Sequence, residues 1–194
     1  MAMKKMNALH VIHRSAGISL LFIFLISNAY PSGGILNGVP IQATPFDYKL
    51  SQTGFFNLNE QNPRVAPVSS LESMKKLFLE ARSFRYLHDT DNNQWQSPEE
   101  TEIKHTGDCK DKALWLYAKL KKNGYTNVRL VVGKYRSFDR LFHTWVSYTD
   151  SSNVAYLLDP TIQKHIWEET GFSGGFYRPL YSFDGRSRYR HVVS

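Results

Sequence analysis

The chain has 194 residues, of which 42% are hydrophobic, 14% aromatic and 21% charged, so it can form one packed core and is not a disordered or low-complexity protein. One short apolar run excludes a protein with several membrane spans. The formal net charge is +7, but three of the 24 basic residues lie in the first 29 positions, which leaves 21 basic against 17 acidic residues in the rest of the chain. This mild excess does not indicate a nucleic-acid-binding protein.

Residues 1–29 are predicted to form a signal peptide. Two lysines and an arginine make a positive region, an apolar run follows at 16–26, and Ser27-Asn28-Ala29 places small residues at the positions that a signal peptidase recognises. The alternative is an uncleaved membrane anchor, although a span needs about 20 apolar residues. We expect an exported protein, periplasmic or secreted, that meets a membrane only through this segment if it stays uncleaved.

The remaining chain divides into an extended lead-in and one domain. Prolines and glycines interrupt 30–67 too often for long helices, so loops or short strands are expected there. The domain is predicted over 68–194. Its tail, from Gly171, mixes aromatic residues with arginines. We interpret the tail as a hairpin that covers the domain and has a solvated basic end, because an exported protein has no use for a nucleic-acid site.

Two helices are predicted at the start of the domain. Apolar residues at helical intervals indicate the first helix, from about Ser70 to Leu87, and Ser69 with Glu72 has the spacing of a capping box at its start. The second, shorter helix is predicted to begin at Ser97-Pro98, because serine followed by proline is a typical helix start.

The chain has a single cysteine, Cys109, which cannot form an intramolecular disulfide. Apolar residues of 108–120 fall on one side of a helix, and Asn123-Gly124 marks its end. Cys109 therefore lies in the first helical turn, where unpaired N–H groups and the helix dipole favour the nucleophilic thiolate. The alternative is a buried, inert cysteine that packs like a small apolar residue.

Three strands are predicted after this helix, from alternating apolar residues: 127–135, 142–148 and 154–158. The first is expected to be half-buried. His143 lies on the second strand, and Asp159 directly follows the third. If these two strands form an antiparallel hairpin, His143 and Asp159 lie near the same end of the ladder, and a helix packed across that end brings Cys109 to the imidazole. A thiolate, a proton-sharing imidazole and an orienting acid together make an acyl-transfer site.

Three segments resemble the core of the transglutaminase-like superfamily: Gly107-Asp108-Cys109-Lys110-Asp111-Lys112-Ala113, His143-Thr144-Trp145-Val146 and Leu157-Leu158-Asp159-Pro160-Thr161. The resemblance implies an α+β, papain-like fold, with the nucleophile at the N-terminus of a central helix packed on an antiparallel sheet. It also implies that Cys109 is the nucleophile, His143 the base and Asp159 the orienting acid.

The chain is also similar to bacterial transglutaminase-like cysteine peptidases, some of which are calcium-dependent periplasmic proteases. Those have Trp and Pro-Glu before the cysteine, as do Trp95 and Pro98-Glu99 here. Trp95 is therefore a candidate for the acyl pocket or the oxyanion site, with a core tryptophan as the alternative. The peptidases typically have an acid directly after the nucleophile, where this chain has Lys110. Lysine at this position removes a ligand for a hard cation, so we expect no cofactor. The resemblance leaves calcium open as the alternative.

These patterns predict an exported cysteine peptidase or amidase-type hydrolase that cleaves a peptide or isopeptide bond through an acyl-enzyme. Its expected partner is a protein or peptide in the envelope or outside the cell, and no nucleic acid. Two alternatives stay open: a protein-glutamine transglutaminase, in which an amine replaces water, and a catalytically silent module of the same fold that binds a peptide or peptidoglycan. No metal site is predicted, because the histidines lack ligand spacing and the sequence has neither HExxH nor paired CxxC.

Overall fold

The computed structural model describes residues 38–60, 70–88, 94–168 and 176–192, and the predicted signal peptide lies outside these ranges. The described helices are α1 (Asp47–Gln52), α2 (Leu71–Ser83), α3 (Pro98–Lys104) and α4 (Cys109–Lys122), with a 3-10 helix at Phe55–Glu60. The described strands are β1 (Gly38–Ile41), β2 (Arg85–Tyr86), β3 (Thr106–Gly107), β4 (Val128–Lys134), β5 (His143–Thr149), β6 (Ala155–Leu158), β7 (Trp167–Glu168), β8 (Arg178–Phe183) and β9 (Arg188–His191).

Seven strands form one sheet in the order β1-β9-β8-β4-β5-β6-β7, and each of its pairings is antiparallel. Strands β2 and β3 form a separate parallel pair. The predicted combination of helices with an antiparallel sheet is therefore confirmed. Among the residues described, none of the helices combines the length and the apolar character needed to cross a membrane.

Short elements make up the described part of the segment before the domain. Strand β1 pairs with β9, and helix α1 and the 3-10 helix follow it. Leu50 and Phe55 of this segment are fully buried in the same apolar cluster as α4. The segment therefore supplies part of the core that supports the central helix.

Helix α2 is shorter than predicted. It begins at Leu71 and is capped by Ser70, whose hydroxyl accepts a hydrogen bond from the Ser73 backbone N–H at 3.1 Å, so the predicted cap, Ser69, is wrong. The helix ends at Ser83 because the next residue, Phe84, has extended backbone angles and is buried in the core. The chain then runs into β2, where the prediction continued the helix to residue 87.

The start of the second helix and the course of the central helix are confirmed. Helix α3 begins at Pro98, and the Ser97 hydroxyl accepts from the Glu100 N–H at 3.1 Å. Helix α4 runs from Cys109 to Lys122, next to the predicted stop at Asn123-Gly124. A strong cap and a continuous apolar side together explain why both ends could be predicted.

The core lies on both faces of the central strands. On one face α4 packs against Leu130 and Val146, and on the other face Val131, Trp145 and Tyr177 form a second buried cluster. The prediction that the first strand after α4 is half-buried is therefore wrong, because β4 has neighbours on each side in the sheet and apolar residues on each face.

The tail forms a hairpin, β8 and β9, but the hairpin does not cover the domain as predicted. Strand β8 pairs with β4 and so extends the central sheet. The register shifts at Gly133, where an added Cβ would lie 2.1 Å from the Arg178 carbonyl oxygen, so only glycine permits this close approach. Arg186, in the hairpin turn, is exposed, as expected for a solvated basic end.

Candidate active site

The N-terminal end of α4 presents the cysteine to a cleft. Cys109 is the first residue of the helix and is half-buried. The cleft has a volume of about 850 Å³, and Trp95, Cys109 and His143 are among its lining residues. The structure therefore brings three of the four predicted site residues to one cavity.

The fourth residue, Asp159, lies behind the histidine. The antiparallel pairing of β5 with β6, with Val146 opposite Leu158, places the residue after β6 beside the start of β5. His143 Nε2 is 2.6 Å from Asp159 Oδ2, and the carboxyl group is fully buried. The predicted hairpin and the predicted proximity of these two side chains are both observed.

Several donors surround the Asp159 carboxyl group. The backbone N–H groups of Thr161 and Ile162 donate to Oδ1, at 2.9 and 3.2 Å, and the Tyr177 hydroxyl donates to Oδ2 at 2.7 Å. Burial alone would raise the pKa of this carboxyl, but the hydrogen bonds from His143, Tyr177 and Thr161, with the imidazole charge, hold the pKa below its ordinary value. Asp159 is therefore an anion that faces the imidazole.

The imidazole lies between the Asp159 carboxylate and the Cys109 side chain. Burial alone would lower the pKa of His143, but hydrogen bonds to Asp159 and to the Cys109 side chain, together with the charges of both groups, raise the pKa to about 10. The charged imidazolium is thus the stable form at neutral pH. An imidazolium next to a cysteine favours the thiolate, which is the form that attacks acyl carbon atoms.

The sequence analysis missed Tyr177 and Gln163. Tyr177 donates to Asp159 and packs against Trp145, with ring centroids 5.2 Å apart. The Gln163 side-chain oxygen accepts from the Asp159 backbone N–H at 3.2 Å. Gln163 lies four residues after Asp159, and this short separation in the sequence was a weak sign that the two residues are in contact. Tyr177 gave none, because its contact depends on the pairing of β8 with β4.

The position of Trp95 agrees with both interpretations of this residue, as part of the acyl pocket and as a core tryptophan. It lines the cleft, and it also packs against the main core, with its ring 6.3 Å from the ring of Phe46. The neighbouring Gln96 N–H donates to the Asp111 carboxylate on α4 at 2.9 Å. This bond ties the tryptophan segment to the helix that carries Cys109.

The carboxylates beside Cys109 are engaged in the helix cap. Asp108 Oδ1 accepts from the Lys110 N–H at 3.1 Å, and Asp108 Oδ2 contacts the Lys110 ammonium. Asp111 Oδ2 accepts from the Asp108 N–H at 3.1 Å, and its Oδ1 accepts from Gln96. Burial, then the nearby Asp108 carboxylate, raise the pKa of Asp111 to about 6. Among the described residues, no group of three or more His, Cys, Asp or Glu side chains is placed to hold a metal ion.

Comparison with known proteins finds solved structures with a similar fold. No model of a protein family matches the sequence, and a search of curated proteins also finds no match. Among solved structures, Legionella pneumophila LapG treated with EGTA has a TM-score of 0.56 and 19% identity over 78% of this chain and 81% of that one. Calcium-bound LapG has a TM-score of 0.55 and 19% identity over 79% of this chain and 86% of that one. The chain therefore has the fold of LapG, at low sequence identity.

Proposed function

We propose that this protein is a cysteine peptidase in which Cys109 is the nucleophile, His143 the acid and base, and Asp159 the residue that orients the imidazole. The observation that supports this proposal is the position of His143, whose Nε2 lies 2.6 Å from Asp159 Oδ2 and whose side chain lines the same cleft as Cys109. A cysteine that packs as an inert core residue would not be half-exposed in a cleft beside an imidazolium.

In the proposed mechanism the Cys109 thiolate attacks the carbonyl carbon of the scissile bond, and the carbonyl electron pair moves to oxygen. The backbone N–H of Cys109, at the start of α4, is a donor for this oxyanion and contributes about 3 kcal/mol if it is aligned. The oxyanion then collapses, the C–N bond breaks as His143 gives its proton to the leaving amine, and a thioester remains on Cys109. Water, deprotonated by the now neutral imidazole, attacks the thioester, and the C–S bond breaks to release the acid and restore the thiolate and the imidazolium.

We propose that the substrate is an extended peptide or a protein segment. The loop before β5 carries Leu141 and Phe142, which are 70% and 51% exposed and line the same cleft as Trp95. Apolar side chains next to a reactive pair suit a polypeptide substrate. With the signal peptide predicted at 1–29, we place this substrate in the envelope or outside the cell, and the protein in the periplasm or the medium.

The test is the cleavage of a mixed peptide library by the purified protein, with new termini identified by mass spectrometry. We expect cleavage by the wild type, loss of cleavage in Cys109→Ser and His143→Ala, and unchanged cleavage in His165→Ala, an exposed histidine outside the cleft lining. Hydrolysis predicts no incorporation of a labelled primary amine into the products. Absence of cleavage, combined with an alkylation rate of Cys109 equal to that of a free cysteine peptide, would refute the proposal.

A further inference from the structure

Lys110 occupies an unusual position for a lysine. It directly follows Cys109, and it is only 5% exposed. Lysine is almost never buried to this degree unless its charge is paired. The first turn of a helix also disfavours a cation, because the positive end of the helix dipole lies there. Both effects act against Lys110, so a specific partner must offset them.

That partner is Asp108, on the other side of the cysteine. The Lys110 ammonium contacts Asp108 Oδ2, and the side chains of both residues are buried at 6% and 8% exposure. The remaining oxygen, Oδ1, caps the helix by accepting from the Lys110 backbone N–H. Asp108 and Lys110 also both line the cleft with Cys109. The two residues that flank Cys109 in the chain therefore form a buried ion pair with each other.

The charges around the cysteine explain why a cation is needed at this point. Asp108 and Asp111 are both buried within two residues of Cys109, and two carboxylates close to a thiolate disfavour its negative charge. A positive charge against Asp108 offsets the negative charge of the carboxylates in the first turn of α4. A bound divalent cation would provide that balance in a site with free carboxylate oxygens, but the four oxygens of Asp108 and Asp111 each have a partner within the protein.

We propose that the Lys110 ammonium is a built-in cation that holds Asp108 and favours the reactive form of Cys109, so that the site works without calcium. This inference rests on the proposed function, because it concerns the same cysteine. In this respect the chain would differ from LapG, which has the same fold and has been solved with calcium bound. Lys110 acts here as a positioning residue, through Asp108 and through its charge.

The test measures two properties that need no peptide substrate, so its failure is distinct from a failure of the peptidase proposal. The first is thermal unfolding, and the second is the rate at which neutral iodoacetamide alkylates Cys109, the single cysteine of the chain, between pH 5 and 9. Each is recorded with EGTA and with about 1 mM calcium, which exceeds the dissociation constant of most protein calcium sites. We expect the wild type to give the same Tm and the same alkylation profile in both solutions.

Substitutions at Lys110 test the role of the charge. We expect K110R to behave as the wild type, K110M to alkylate about tenfold more slowly at pH 6 with its profile moved to higher pH, and K110E to be slower still. The control is K119M, which removes a lysine of the same helix that pairs with Glu102 outside the cleft. A shift of the wild-type Tm or rate with calcium or EGTA overturns the proposal, and so does K110M alkylation at the wild-type rate. If K110M does not fold, K110Q replaces it as the variant without the charge, and alkylation of K110Q at the wild-type rate overturns the proposal.

Discussion

Replacement of Tyr177 by phenylalanine tests whether the hydrogen bonds around Asp159 stabilise the protein as the geometry indicates. The change removes one hydroxyl, which donates to Asp159 Oδ2 at 2.7 Å, and keeps the aromatic ring against Trp145. A hydrogen bond to a charged group contributes about 1.5–3 kcal/mol. We therefore expect Tyr177→Phe to lower the free energy of unfolding by about 2 kcal/mol, and the Tm by about 4–8 °C for a chain of this size.

Two other buried tyrosines supply matched controls for this substitution. Tyr125 donates to the Ser70 carbonyl at 2.6 Å, an uncharged acceptor, so Tyr125→Phe should cost about 1 kcal/mol. The buried Tyr117 hydroxyl has no hydrogen-bond partner in the part of the chain that the structure describes, so Tyr117→Phe should be neutral or stabilising. The predicted order of destabilisation is thus Tyr177, then Tyr125, then Tyr117.

Urea denaturation at pH 7 measures these differences, and its pH dependence tests their cause. The folded pKa of Asp159 lies below its unfolded value, so its stabilising contribution is present above about pH 4 and is lost as pH falls through the folded pKa. The difference between wild type and Tyr177→Phe should therefore shrink in acid. Equal effects of the three substitutions at pH 7 would refute this account of the site.

Three further predictions concern the site and its support. Asp159→Asn removes the anion that favours the imidazolium, so alkylation of Cys109 at pH 6 should fall about tenfold or more; an unchanged rate would contradict the orienting role. The pKa of His143 is raised from 6.5 to about 10, so its stabilising contribution is complete below about pH 6.5 and is lost as pH rises through 10. The difference in free energy of unfolding between wild type and His143→Ala, measured by urea denaturation, should therefore decrease between pH 7 and 10. A constant difference would contradict this prediction. Gly133→Ala forces a Cβ to 2.1 Å from the Arg178 carbonyl oxygen and should lower the free energy of unfolding by about 1–3 kcal/mol, whereas a neutral effect would show that the strands can separate there.

The parts of the site that the sequence could predict are those encoded by local patterns. Asp108 caps α4 and Asn123-Gly124 follows its last residue, so the position of Cys109 at the helix start was visible from composition and spacing. The short turn between β5 and β6 fixes their antiparallel pairing, which brings His143 to Asp159. These features depend on contacts between residues that are close in the chain.

The features that could not be predicted depend on distant contacts. The end of α2 is set by the burial of Phe84 and by the pairing of β2 with β3, which the helical pattern does not encode. The tail looked like a separate hairpin because its sequence contains no sign of its partner, β4. Tyr177 was missed for the same reason, since only this strand pairing carries its hydroxyl to Asp159.

The hydrogen bond from Tyr177 makes the candidate site depend on a segment that follows Cys109, His143 and Asp159 in the chain. During synthesis, the ribosome releases the cysteine, the histidine and the aspartate before it releases Tyr177 and β8. A nascent chain that stops short of β8 leaves one edge of β4 without a strand and the buried carboxylate without one of its donors. A protein cut before β8 would therefore keep Cys109, His143 and Asp159 but lose a hydrogen bond to the buried carboxylate and the strand beside β4.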